Sequence, residues 1–291
     1  VDILRGNILA MKKVLVPTDF SINSKAGLRF SLQWATQQPL ELVFVHVLHI
    51  LKPARWTDGY YLEYVEQMKK INKEKLEKFV AQTFKSMNIK PAKYSCILIE
   101  GISPDLAIMD YCRQNPAIDF ICISTSGAGK LKKIFGTNTG SLITKSKVPV
   151  IAIPKSCRVK SIKHLLYATD LHNCKEELKK VVAFARPLRA SVELLHFTWP
   201  DEILPDKRLF EKSFRKQFNY ALKLHFEKAD ITYSVVQRLQ KQISISRPSV
   251  VIMFTDQNRN LYQRIFLSSK AKELSFQIKV PLLVFNKNQT A

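Results

Sequence analysis

Apolar positions along this chain fall into short unbroken runs separated by stretches with a helical period. Val14-Leu15-Val16, Leu42-Val43-Phe44-Val45, Phe120-Ile121-Cys122-Ile123 and Val150-Ile151-Ala152-Ile153 are too short for helices and do not alternate with polar residues. That pattern marks strands buried on both faces of a parallel sheet. It predicts strands near 13–18, 41–47, 94–99, 118–124 and 149–153, with helices near 25–37, 61–87, 104–115 and 137–146. In the long helix Val65, Met68, Ile71, Phe79, Val80 and Phe84 are expected on one buried face. Strands alternating with helices argue for βαβ units.

The pattern then repeats. Val14-Leu15-Val16-Pro17-Thr18-Asp19 returns as Leu165-Leu166-Tyr167-Ala168-Thr169-Asp170, and Phe44-Val45-His46-Val47 returns as Leu194-Leu195-His196-Phe197. The spacing is 151 at the aspartates (170 − 19) and 150 at the histidines (196 − 46). The closing run Val148-Pro149-Val150-Ile151 returns as Val280-Pro281-Leu282-Leu283 at a spacing of only 132 (280 − 148), so the second copy lacks about eighteen residues between its second and last strands. Its strands are expected near 163–169, 192–197, 231–236, 249–254 and 281–285. The fold class is therefore α/β: two tandem open five-stranded parallel-sheet domains, at 11–155 and 161–288, joined by the linker Pro154 to Ser161. Val1 to Ala10 precede Met11-Lys12-Lys13, which reads as a natural start, and are left out of the fold.

Composition narrows the function classes. With 46% hydrophobic residues, the 291-residue chain fills two ordinary cores and is not a disordered tail. Five cysteines without a C-x-x-C pair suggest a reducing compartment and no zinc site. No apolar run reaches the roughly 18 residues of a membrane span, so a cytoplasmic protein with no membrane partner is expected. The net charge of +22 permits polyanion binding, but the lysines lack the aromatic interleaving of a nucleic-acid arm, and no specific nucleic acid is expected.

Two segments could carry chemistry. Asp19 follows the first strand, where open parallel sheets bind ligands, and its carboxylate could meet a base or ribose; the plainer reading is a cap on the following turn. The second is the loop after the fourth strand, Ser124-Thr125-Ser126-Gly127-Ala128-Gly129-Lys130, running on to Gly136-Thr137-Asn138-Thr139. Its glycines let backbone N–H groups approach phosphate oxygens, and a helix beginning at Gly136-Thr137 offers an anion its free N–H groups. The loop is neither a Walker A motif nor G-x-G-x-x-G. His46 and His196 read as hydrogen-bonded structure rather than metal ligands, and no catalytic nucleophile motif is present.

The V-P-T-D-F-S start, the strand ending in His46-Val47, the glycine loop leading into G-T-N-T and the closing V-P-V-I-A-I-P resemble the universal stress protein family from Lys12 to Lys287. The resemblance implies that Pro17, Thr18, Asp19 and Val47 surround adenine and ribose, and that Ser124, Gly127, Gly136, Thr137, Asn138 and Thr139 hold phosphates. The family's ATP-binding loop has glycine where this chain has Ser124, and one residue more between the positions of Gly127 and Gly136. The stretch from Met253 to Ser269 in the second copy has no glycine at all. The resemblance thus implies one bound ATP, ADP or AMP, with Mg2+ accompanying the nucleotide, in a stress-response or signalling protein rather than an enzyme of fast turnover; slow ATP hydrolysis stays open. It also implies an intramolecular pseudo-dimer through the closing strands, and admits a homodimer of the whole chain. The alternative is a scaffold whose paired domains bind a protein or a small apolar ligand.

Overall fold

The computed structural model describes residues 11–90, 93–125, 137–158, 160–171, 173–198, 202–228, 232, 233, 235–255 and 279–286. In the N-terminal half the order is β1 (Lys12–Pro17), α1 (Lys25–Ala35), β2 (Leu40–Leu48), α2 (Asp58–Met87), β3 (Lys93–Glu100), α3 (Pro104–Gln114), β4 (Ile118–Ser124), α4 (Thr137–Lys145) and β5 (Val150–Ile153). The C-terminal half follows with β6 (His164–Thr169), α5 (Cys174–Leu188), β7 (Ser191–Phe197), α6 (Lys207–Phe218), β8 (Leu222–Glu227), α7 (Val235–Ser246), β9 (Val250–Thr255) and β10 (Leu282–Asn286). The chain is α/β, as its hydrophobic pattern predicts.

These strands form one sheet in the order β3-β2-β1-β4-β5-β10-β9-β6-β7-β8. Within each half every described pairing is parallel, and the halves meet where β10 lies antiparallel to β5, Leu283 opposite Ile151. The two closing strands therefore cover each other, which removes the exposed apolar edge that either would present alone. Because the join is antiparallel, the carboxyl ends of the strands point one way in the first half and the opposite way in the second.

Helices cover both faces. Residues of α1, α2, α5 and α6 build a core on one face that runs unbroken across both halves, while α3, α4 and α7 build the core on the other. At the junction the Trp34 ring of α1 lies 5.4 Å from that of Phe184 in α5 and 5.3 Å from Phe120 in β4. Trp34 is fully buried, and such aromatic pairs add about 0.5–1.5 kcal/mol beyond their buried area. Gln37 pins the chain where it leaves the linker, its amide donating to the Ile162 carbonyl at 3.1 Å and accepting the Ile162 N–H at 2.7 Å.

Two expectations need correction. The third strand of the second half is β8, at Leu222–Glu227, and not 231–236, since Val235 and Val236 begin α7. Leu222-Lys223-Leu224-His225-Phe226-Glu227 alternates as a sheet-edge strand does, with one face wet. The missing residues are largely accounted for by helix length, because α2 has 30 residues and α6 has 12, a difference of 18 (30 − 12). Ile71 is exposed; the buried seam of α2 runs through Val65, Leu76, Val80, Thr83 and Phe84, and Ile71 falls off it at 100° per residue. All five cysteines are free, and four are buried. Burial pushes the Cys112 and Cys174 thiols up to about 12, so they pack as small hydrophobes.

Candidate functional site

The strand order of the N-terminal half reverses between β1 and β4, because the crossovers through α1 and α2 lie on one face and those through α3 and α4 on the other. Segments leaving these two strands diverge and open a crevice at their carboxyl ends. β1 delivers Pro17, Thr18 and Asp19 to it, and β4 delivers Ser124.

Thr18 fixes the first side. Its N–H donates to the Val45 carbonyl of β2 at 2.9 Å, and its Oγ1 accepts the Phe20 N–H at 3.1 Å. Ser24 Oγ donates to the Ser21 carbonyl at 2.8 Å and so accepts from Thr18 Oγ1 at 2.9 Å. This clamp drives Phe20 into a left-handed conformation, φ 62°, which costs a bulky residue about 1–2 kcal/mol. Asp19 Oδ1 accepts the Ser21 N–H at 3.0 Å, while the residue remains exposed. The aspartate thus caps the turn and faces solvent at once. Below it His46 Nδ1 donates to the Thr18 carbonyl at 2.8 Å, and its ring lies 4.2 Å from that of Phe20. Burial holds the His46 pKa below its ordinary value, so the ring stays neutral at neutral pH.

Ser124 closes the other side. Its Oγ donates to the Asn23 carbonyl at 2.7 Å, and its own carbonyl accepts from Thr139 Oγ1 of α4 at 3.0 Å. Both hydroxyl protons are therefore committed to bracing the two ends of the glycine segment. Gly27 of α1 lies against this strand end so closely that a Cβ there would meet the Ser124 nitrogen at 3.3 Å and the Cys122 carbonyl oxygen at 3.4 Å.

The crevice brings Pro17, Thr18, Asp19, Ser124 and Thr139 together. Val47 stands one strand away, half-buried near the end of β2 and opposite Ile99 of β3. Thr137 is the first residue of α4 and Asn138 the next, half-buried; Gly127 and Gly136 lie outside the described residues. The sequence reading missed Gly27, because a glycine inside a helix reads as a cost until the neighbouring strand is known.

The C-terminal half repeats the first clamp. Thr169 Oγ1 accepts the Leu171 N–H at 3.0 Å, Leu171 has φ 66°, and His196 Nδ1 donates to the Thr169 carbonyl at 3.0 Å. The surroundings differ. At the repeat spacing of 150, Gly27 corresponds to Glu177, which is buried and accepts from the Tyr167 hydroxyl. Tyr167, in turn, stands where the first half has Val16. Burial and the Glu177 carboxylate raise the Tyr167 pKa well above its ordinary value, so the phenol keeps its proton and donates. Phe197 occupies the position of Val47, and its ring lies 4.6 Å from the buried guanidinium of Arg238. Arg238 also donates to the Glu227 and Lys228 carbonyls, at 3.2 and 2.9 Å. Arg259 and Arg264, the basic residues of the glycine-free stretch and the sequence's candidates for a different anion site in this half, lie outside the described residues.

Among the described residues no group of three or more His, Cys, Asp or Glu side chains could hold a metal ion, and no helix is long and apolar enough to cross a membrane. No curated protein sequence matches the chain. Among solved structures, a universal stress protein from Archaeoglobus fulgidus DSM 4304 is similar over 95% of this chain and 98% of its own, at 19% identity and a TM-score of 0.71. A universal-stress-type protein from Pseudomonas aeruginosa UCBPP-PA14 is similar over 95% of this chain and 94% of its own, at 14% identity and a TM-score of 0.55. A universal stress protein solved in complex with cAMP is similar over 50% of this chain and 97% of its own, at 13% identity and a TM-score of 0.37; that nucleotide is a property of that protein. Residues 11–154 match the profile of the universal stress protein family. Through its N-terminal half, this chain belongs to the universal stress protein family.

Proposed function

We propose that this chain is a stress-response or signalling protein that binds one adenine nucleotide, ATP, ADP or AMP, at the carboxyl end of its N-terminal sheet. It acts by binding, not by fast catalysis, and its C-terminal half serves as a covalently attached pseudo-dimer partner. The observation that carries this reading is the crevice between β1 and β4. An exposed Asp19, held by the Thr18 clamp, stands there beside Ser124, from which the segment containing Gly127, Gly129 and Gly136 departs. A carboxylate for base or ribose and a glycine-rich backbone for phosphate are what an adenine nucleotide requires. Mg2+ would enter on the phosphates, since the described residues supply no acidic cluster to hold it.

Mass spectrometry of small molecules released from freshly purified protein, followed by calorimetry with ATP, ADP and AMP, tests this. One site per chain is expected. Gly136→Val should abolish binding by filling the phosphate approach, and Asp19→Ala should weaken it by about 1–3 kcal/mol, the scale of a charged hydrogen bond. Asp170→Ala and Leu267→Val should leave it unchanged. Two sites per chain, or full binding by Gly136→Val, overturns the assignment. ATP turnover of about one per second or faster would make the protein an enzyme.

A scaffold function is the second reading. It is favoured by Leu51, Tyr60, Leu62, Ile102 and Leu106, exposed apolar side chains on the loops and helix starts that follow β2 and β3. A wild-type chain that binds no nucleotide would leave this reading standing.

A further inference from the structure

Helix α6 carries a concentration of charge that folding does not explain. Its inward face stacks Phe210 on Phe214 at 4.4 Å and Phe214 on Phe218 at 5.6 Å. At 100° per residue, the opposite face presents Arg208, Leu209, Lys212, Arg215 and Lys216, all exposed. Among the described residues none of these four cations has an ion-pair partner. Glu211 of the same helix is turned inward and accepts the Leu224 N–H at 2.7 Å. Arg208, Lys212 and Lys216 follow one another at i,i+4, where like charges repel, and Arg208 lies in a first turn without acidic residues, at the end where the helix dipole disfavours a cation. On α2, by contrast, Lys69 pairs with Glu66 and Glu100, and Lys73 with Glu77.

Apolar side chains accompany this charge. Leu209 is 68% exposed on the same face, and Ile203, 98% exposed, lies in the segment leading into the helix. A cationic face with exposed aliphatic rather than aromatic side chains suits phosphate headgroups and the acyl boundary beneath them; it offers nothing on which bases could stack. We infer that α6 is a docking surface for a bilayer rich in anionic phospholipid, which the chain touches without crossing. This revises the expectation, drawn from the absence of spanning segments, that no membrane is involved, and it is independent of nucleotide binding.

Flotation of the full chain with vesicles tests it. Wild type should float with vesicles containing about 30% phosphatidylserine and not with phosphatidylcholine alone. Each cation near such a surface contributes about fivefold to partitioning, so Arg208→Glu/Lys212→Glu should lose at least about 25-fold. The charge-matched Lys70→Glu/Lys78→Glu on α2 should float like wild type, and Leu209→Ser should lose about fivefold without change in its salt dependence. Circular dichroism and thermal melts verify that every variant is folded. No flotation of wild type, or an equal loss in the α2 variant, overturns the inference. Tighter binding to an oligonucleotide at equal phosphate concentration, lost in the α6 variant, replaces the membrane with nucleic acid.

Discussion

The two halves share a backbone device and differ in what surrounds it. Each places at the carboxyl end of its first strand a threonine, Thr18 just after β1 and Thr169 the last residue of β6, whose hydroxyl accepts an N–H two residues on; each forces a bulky residue to positive φ, and each seats a histidine against the threonine carbonyl. The N-terminal half closes this frame with Gly27 pressed on the end of β4. The C-terminal half puts Glu177 there and gives it Tyr167 as donor, and it sets Phe197, with the Arg238 guanidinium against its ring, where its counterpart has the smaller Val47. What repeats is the hydrogen-bond geometry of the main chain, which any side chain outside the clamp leaves intact. Side-chain chemistry above that frame is free to diverge, which is why a shared fold does not make a shared site.

The comparison can be broken most forcefully at the join. Ile151 and Leu283 are paired and fully buried, so Ile151→Asp should cost more than about 4 kcal/mol by burying an unpaired charge. If the halves are one cooperative unit, urea unfolding followed by probes in each half should show both destabilised together; a C-terminal half that keeps its midpoint would show two independent bodies.

Gly27→Val comes next, at about 2–3 kcal/mol, because its Cβ already crowds the Ser124 and Cys122 backbone and two further methyl groups must be fitted beside it. Substitution of Glu177 by Val at the corresponding position should meet no such wall, and its cost should instead come from the buried Tyr167 hydroxyl, about 1–3 kcal/mol. Tyr167→Phe alone should cost a similar amount by removing a donor to the carboxylate. Tyr167→Val with Glu177→Gly, which gives the second half the residues of the first, should cost less than the sum of its single changes in denaturant melts.

The smallest effect is a pH dependence. Burial lowers the pKa of His46 in the folded protein below its ordinary 6.5, so the unfolded chain binds the proton more readily. The stability this ring contributes is complete above about pH 6.5 and is lost as pH falls through the lowered folded value. His46→Asn should flatten that part of the stability profile between pH 7 and 5, as read from thermal melts. An unchanged slope would mean that the ring is protonated in place.

Most strands were legible because a parallel strand buried on both faces writes an unbroken apolar run, as Val150-Ile151-Ala152-Ile153 does. β8 was not, because an edge strand spends every second residue on polar groups, and the β-branched run Ile231-Thr232-Tyr233-Ser234-Val235-Val236 competed with it nearby. In the candidate site, Asp19 and Ser124 were legible from their positions at strand ends. Gly27, Tyr167 and Glu177 were not, since each acquires its meaning from a neighbour distant along the chain.

The meeting of Trp34 with Phe184 records what joining two copies in one chain permits. The two rings occupy corresponding positions beside the pseudo-two-fold axis, 5.4 Å apart. In a dimer of identical subunits any residue at such a place faces itself, and every mutation there strikes twice. Here one gene encodes both sides separately. A large ring on one side can be matched by a smaller ring on the other, and either half can accumulate changes without demanding the same change of its partner.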